Sequence, residues 1–178
     1  MLAKILSVAT IGLEAREVVV EVDIAEKGFP GLTIVGLPDK AIAESKERVK
    51  KAIQNSGASY PDKKITVNLS PADLPKEGSN YDLPIAVGIA LAAQELEFPI
   101  NLDSKDSILN TAYFYGELGL DGSLKHSKGV LLTAMLAKER GIKSIFVSVL
   151  CANEAAVVSG IKVYEKIIAL TIVHYFLT

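Results

Sequence analysis

The 178 residues carry 19 Lys plus Arg against 21 Asp plus Glu, a formal net charge of -2, with 49% hydrophobic and 22% charged residues. That balance excludes a disordered chain, and it excludes the strong whole-surface attraction to nucleic acid that a large basic excess would produce. The length predicts one domain, or at most two small ones, able to bury roughly 70% of its unfolded surface; a single cysteine, Cys151, excludes an internal disulfide framework.

The mean hydropathy of +0.32 is high for a soluble chain. It concentrates in two apolar stretches, residues 83–93 and 167–177, the second interrupted by Thr171 and His174. A membrane helix needs ~20 apolar residues, and each stretch has about half that. The first residues lack the basic and apolar regions of a secretory leader. A cytoplasmic protein without a membrane partner is expected, with both stretches buried as helices.

In chain order, residues 4–11, 18–25 and 32–35 read as strands rich in Val, Ile and Thr, punctuated by Gly12, Gly28, Pro30, Gly31, Gly36 and Pro38. Within the second, Glu21 and Asp23 alternate with Val20, Val22 and Ile24, the period of a half-buried strand. The period then becomes helical over residues 39–55, with Ile42, Val49, Ala52 and Ile53 on one face and a stop at Asn55-Ser56-Gly57. A strand at 64–69 precedes a polar loop over 70–81, and Asp82 is placed to cap a helix over 83–96, with Pro84 in its first turn. Strands at 112–117, 143–147 and 161–164 then alternate with helices at 129–140, 152–158 and 167–177; Gly119 to Gly122 makes a turn with a short return at Ser123-Leu124. The expected class is mixed α/β (α+β), a single mixed sheet with helices packed against it.

The chain has no G-x-x-x-x-G-K-[ST] phosphate loop and no G-x-G-x-x-G, so no nucleotide cofactor is expected on these residues. His126 and His174 stand far apart without paired cysteines, so no metal site is expected, and Cys151 reads as a buried structural thiol. The cluster Lys46, Arg48, Lys50, Lys51 is the one candidate for nucleic-acid contact. Glu44 and Glu47 interleave with it and no aromatic residue stands among the charges to stack on bases, so it reads as the solvated face of an amphipathic helix. The 74–82 loop sets Lys76, Glu77, Ser79 and Asp82 before an apolar helix, where a helix N-terminus favours an anion. Ser79 is the only hydroxyl there fit to be a nucleophile, and Lys128 is a conceivable base from a later loop.

Three long runs carry a resemblance: GFPGLTIVGLPDKAIAESKERVKKAIQNSG, KKITVNLSPADLPKEGSNYDLPIAVGIALAA and YFYGELGLDGSLKHSKGVLLTAMLA. They closely resemble the N-terminal domain of the YifB/ComM family, magnesium-chelatase-like AAA+ ATPases. The resemblance spans nearly the whole chain. It implies a Lon-protease-like domain of the ribosomal-protein-S5-domain-2-like fold over residues 1–178, followed in the parent by an AAA+ ATPase domain beyond Thr178. It further implies a parent that binds ATP and Mg2+, assembles through its own AAA+ domain and ring neighbours as a homo-hexamer, and moves DNA in branch migration during natural transformation and recombination.

The comparison with Lon peptidases bears on Ser79. Lys76-Glu77-Gly78 is similar to the start of their nucleophile segment, but an ungapped match sets Asn80 at the nucleophile, and a gapped one Asp82 or Leu83. Val130 or Leu131 falls at the position of the base. The resemblance therefore implies a non-catalytic accessory domain. A serine peptidase using Ser79 and Lys128, and a stand-alone DNA-binding module on the helix at 40–51, are the alternatives.

Overall fold

The structure is a computed structural model that describes residues 2–36, 39–93 and 108–166. It opens with a long antiparallel hairpin, β1 (Leu2–Ile11) and β2 (Glu14–Ala25), closed by a two-residue turn at Gly12-Leu13. Gly12 takes φ +59, the left-handed backbone such a tight turn requires. β3 (Gly31–Val35) leads through α1 (Lys40–Asn55) to β4 (Lys64–Ser70), which runs parallel to β3 and antiparallel to β2. The order is β1-β2-β4-β3. Ile42, Val49, Ala52 and Ile53 of α1 are all buried, and Asp39 caps the helix by accepting from the Ile42 N–H at 2.8 Å.

α2 (Asp82–Ala92) lies on the face where Ile5, Val20 and Val22 point, and all eleven of its residues are buried. Such a helix has no polar side because none of its faces meets water. Its closest approach is at Gly88, where a Cβ would stand 2.5 Å from Val22 Cγ2 and 3.5 Å from Ile5 Cγ1. The expected cap moves by one residue. Asp82 is inside the first turn, Tyr81 is the N-cap, and the Asp82 carboxylate is engaged elsewhere.

After a single helical turn, α3 (Ile108–Thr111), come β5 (Ala112–Phe114), α4 (Val130–Arg140), β6 (Ser144–Ser148), a 3-10 turn with α5 (Ala152–Ala156), and β7 (Lys162–Lys166). β5, β6 and β7 form a parallel sheet with β6 central, and every β6 residue is buried, as expected of a strand covered on both faces. Phe114, Phe146 and Tyr164 occupy one register row across it, their rings stacked at 4.6 and 4.7 Å. The mixed α/β class is as expected from the sequence.

Among the described residues, however, the strands divide between two hydrogen-bonded sheets of four and three rather than joining one. β1 is the seam. Its Ile5 and Ala9 belong to the core beneath α2, its Val8 belongs to the core of Tyr113, Tyr115 and Val130, and the Ser7 hydroxyl donates to the Phe114 carbonyl at 2.9 Å. That side-chain link stands where a backbone ladder would have merged the sheets. The turn at 119–122 with its return is present, as a Leu118–Leu124 bridge. The helix expected at 167–177 and the end of the one expected at 83–96 lie outside the described residues. Among the described residues no helix is long and apolar enough to cross a membrane.

The Gly88 approach sets two effects against each other. Alanine gains ~1 kcal/mol of helix propensity over glycine. Overpacking a closed core costs about 1–3 kcal/mol. Gly88→Ala should therefore lower the urea midpoint, and a raised midpoint would show that α2 moves off Val22 without strain.

Candidate functional site

The loop between β4 and α2 is anchored from beneath by a cation. Lys76 is buried at 1% exposure, and its ammonium donates to the carbonyls of Gly36 at 3.0 Å, of Leu74 at 2.7 Å and of Pro71. Three acceptors use all three donors of the ammonium. Burial draws its pKa below the usual lysine range, with Asp73 opposing. Asp39 then joins the loop to α1, since its second carboxylate oxygen accepts from the Gly78 N–H at 3.0 Å.

Asp82 closes the other end. Its carboxylate is fully buried and accepts from Arg48 Nε at 2.8 Å, Arg48 Nη2 at 3.2 Å and the Leu118 N–H at 3.2 Å. Burial pushes its pKa up to about 6, against the pull of Arg48 and of the Leu118 N–H. Arg48 also donates to the Ala41 carbonyl at 3.1 Å. The reading of Arg48 as part of a solvated face is thus corrected: its guanidinium turns inward, because a buried carboxylate needs a bidentate partner. Backbone bonds stitch the same loop to the chain after β5, Gly116 N–H to the Asn80 carbonyl at 2.9 Å and Leu83 N–H to the Gly116 carbonyl at 3.0 Å.

These bonds frame a cleft of about 300 Å³ lined by residues that include Thr10, Ser79, Asn80, Glu117, His126 and Lys128. Tyr115 and Ser127 close its walls. The Tyr115 hydroxyl donates to the Lys128 carbonyl at 2.8 Å and is held protonated by burial. Ser127 is tied to Cys151, whose sulfur accepts from the Ser127 N–H at 3.2 Å, and burial pushes the Cys151 thiol up. Cys151 is buried, as its sequence context predicts.

The fold brings Ser79 and Lys128 from loops 49 positions apart in sequence (128 minus 79) to one cleft. It does not pair them. The Ser79 hydroxyl donates to the Glu117 carboxylate, so a lysine base would first have to displace that bond, while Lys128 is exposed. Glu117 is the site residue that sequence patterning misses: only the pairing of the 79–83 loop with the 116–118 segment brings it to Ser79 and to Asn80, the residue that the ungapped Lon comparison sets at the nucleophile. The Asn80 side-chain nitrogen is buried without a hydrogen-bond partner. His126 is exposed and His174 lies outside the described residues; among the described residues no group of three His, Cys, Asp or Glu could hold a metal. Lys46 and Lys50 line a different groove, beside Tyr60, and Lys51 is exposed.

The family described as subunit ChlI of Mg-chelatase matches residues 20–150. The chain is 40% identical over 174 residues to Competence protein ComM of Haemophilus influenzae, covering 98% of this chain and 32% of that protein. It is 46% identical over 137 residues to Uncharacterized protein YifB of Escherichia coli, covering 77% and 25%. The chain belongs to the YifB/ComM family. A second YifB, from Salmonella typhimurium, is 42% identical over 151 residues, 85% of this chain and 28% of that protein. The chain thus spans a quarter to a third of the length of these YifB/ComM relatives. The family match over 20–150 takes in Arg48, Ser79, Asp82, Glu117 and Lys128.

The Arg48–Asp82 pair generates a pH-dependent prediction. Asp82 titrates at about 6 in the fold and near ~3.9 unfolded, so the folded state binds its proton more tightly. Its contribution to stability is fully present below about pH 4 and is lost as pH rises through about 6. Arg48→Met leaves the carboxylate buried without its cation and should destabilise by about 3–5 kcal/mol near pH 7.5. The deficit should shrink towards about pH 5, where Asp82 is protonated in both proteins. Urea unfolding at the two pH values measures this, and an equal deficit at both would assign the loss to some other group.

Proposed function

We propose that this chain is a non-catalytic, Lon-like accessory domain of a ComM-type AAA+ ATPase. The whole protein is then a hexameric, cytoplasmic DNA motor that uses ATP and Mg2+ in its separate ATPase domain, and acts in natural transformation and recombination. This domain positions substrate or contacts ring neighbours. The reading is supported by the 40% identity to a competence protein across nearly the whole chain, together with the third of that protein's length that the chain spans.

The observation that carries the non-catalytic part is the bond from the Ser79 hydroxyl to Glu117. A nucleophilic serine needs its proton directed at a base strong enough to take it, oriented in turn by a third group. Here the proton is directed at a carboxylate, and the loop bearing it is locked by buried ionic contacts at Lys76 and Asp82. The second reading, a serine peptidase using Ser79 and Lys128, draws on their position in one cleft.

A fluorophosphonate probe separates the two. The 178-residue chain should show no labelling at Ser79 and no peptide cleavage, and its ATP turnover should stay at background. Labelling that Ser79→Ala abolishes, together with cleavage of a casein substrate, would establish the peptidase. Removal of this domain from the whole protein should abolish DNA branch migration while ATP hydrolysis persists.

A further inference from the structure

We propose that the groove between α1 and the 58–62 turn is a stacking platform for single-stranded nucleic acid, built from Tyr60 and Phe29 with Lys46 and Lys50. Along the sequence, no aromatic residue accompanies these lysines. The fold supplies two from elsewhere. Tyr60 lines the groove and lies under the Lys50 ammonium, 5.7 Å from its ring centroid. Phe29, adjacent in sequence to the groove residue Pro30, is 94% exposed, whereas Tyr81, Tyr113, Phe114, Tyr115 and Phe146 are buried.

The groove is about 400 Å³, and Lys46, Lys50 and Gln54 follow one another along one face of α1 at four-residue steps, about 6 Å each along the axis. Two acids, Glu47 and Asp62, also line it and balance the two lysines. The lining therefore carries no net charge. Next to lining residues in the sequence, Lys51 and Lys63 are exposed, as are Lys27, Lys64 and Glu26, and the Lys64 side chain lies against the 27–28 turn, 3.2 Å from where a Gly28 Cβ would stand. Charge on this face is therefore modest, and ring faces are the distinguishing feature. A single strand has bare base faces to offer to such rings, whereas a duplex keeps them stacked inside. Base–aromatic stacking is tolerant of sequence, and each stacked base adds severalfold or more to affinity. Burial, aided by Glu47, holds the Tyr60 hydroxyl protonated with a pKa of about 12, so the ring presents no anion to a phosphate.

Arg48 has no part in this surface, because Asp82 holds it inside. The platform deepens the DNA-motor reading and rests on it for the choice of DNA as the ligand, while the chemistry is that of any single strand.

The chain has no tryptophan, so Phe29→Trp introduces a unique fluorophore at the proposed stacking position. With oligo-dT of about 15 nucleotides at about 20 mM salt, its emission should be quenched, and labelled oligo-dT should gain anisotropy with the 178-residue wild-type chain. Phe29→Ala should weaken binding about tenfold. Phe29→Tyr should restore it, and a blunt duplex of equal length should bind more weakly. Lys46→Gln with Lys50→Gln should lower the salt slope by about 1.4, the value for two phosphates on a single strand. Phe29 is 94% exposed, so its variants should keep the fold.

The platform is overturned by an absence of anisotropy change at low salt, by Phe29→Ala binding as the wild type does, or by lysine-dependent binding that leaves the tryptophan emission unmoved. If the chain binds as expected but the whole protein does no ATP-driven work on DNA, the motor reading fails and the platform stands. If the whole protein works on DNA and the chain fails these tests, the platform alone is lost.

Discussion

A carboxylate with no access to water joins the separate parts of this molecule. Asp82 sits at the start of the helix that fills the core, and it is satisfied by Arg48 of α1 and by the N–H of Leu118 in the turn after β5. Each donor comes from a different element, so the first helix, the core helix and the start of the second sheet's following turn are held in one geometry by one group. A buried ion pair of this kind is weak as a source of stability, because desolvation offsets most of its Coulomb attraction. Its effect is on arrangement: any packing that separates Arg48 from Asp82 leaves a charge without a partner in the interior.

The candidate cleft inherits its shape from that arrangement. With Lys76 and Asp39 fixing one end of the 70–82 loop and Asp82 the other, Ser79 and Asn80 are presented against the 116–118 segment. The Ser79 hydroxyl then meets Glu117 rather than an amine. Local rigidity and the direction of one proton are thus consequences of the same buried contacts. The second surface, the groove lined by Tyr60, lies where α1 turns Lys46 and Lys50 outward. One helix serves both, with Arg48 inward and Lys46 and Lys50 outward, two and four positions apart within a single turn's reach.

Much of this was legible in the amino-acid order. Alternating Val20, Val22 and Ile24 fixed the buried face of β2, and the spacing of Ile42, Val49, Ala52 and Ile53 fixed the buried face of α1, because side-chain period and burial are properties of neighbouring residues. The all-apolar run from Leu83 marked a helix without a wet side. The three long motif runs pointed to the family through their ordered length, and the relatives' identity bears that out.

Other features needed the tertiary structure, for a common physical reason: they depend on contacts between residues far apart in the chain. Asp82 has the composition of a helix cap and becomes an ionic anchor only because Arg48, 34 positions away, reaches it. The strands after residue 112 form their own sheet because β1 meets β5 through the Ser7 side chain and not through a shared ladder. Ser79 and Lys128 share a cleft, Glu117 accepts the serine's hydrogen bond, and Tyr60 comes beneath Lys50, each through pairing that no local spacing encodes. By itself the sequence determined the elements, their buried faces and the family, since these follow from local periodicity and ordered motifs. Only the three-dimensional packing decided which charged and aromatic groups face one another, and on that the chemistry of both surfaces depends.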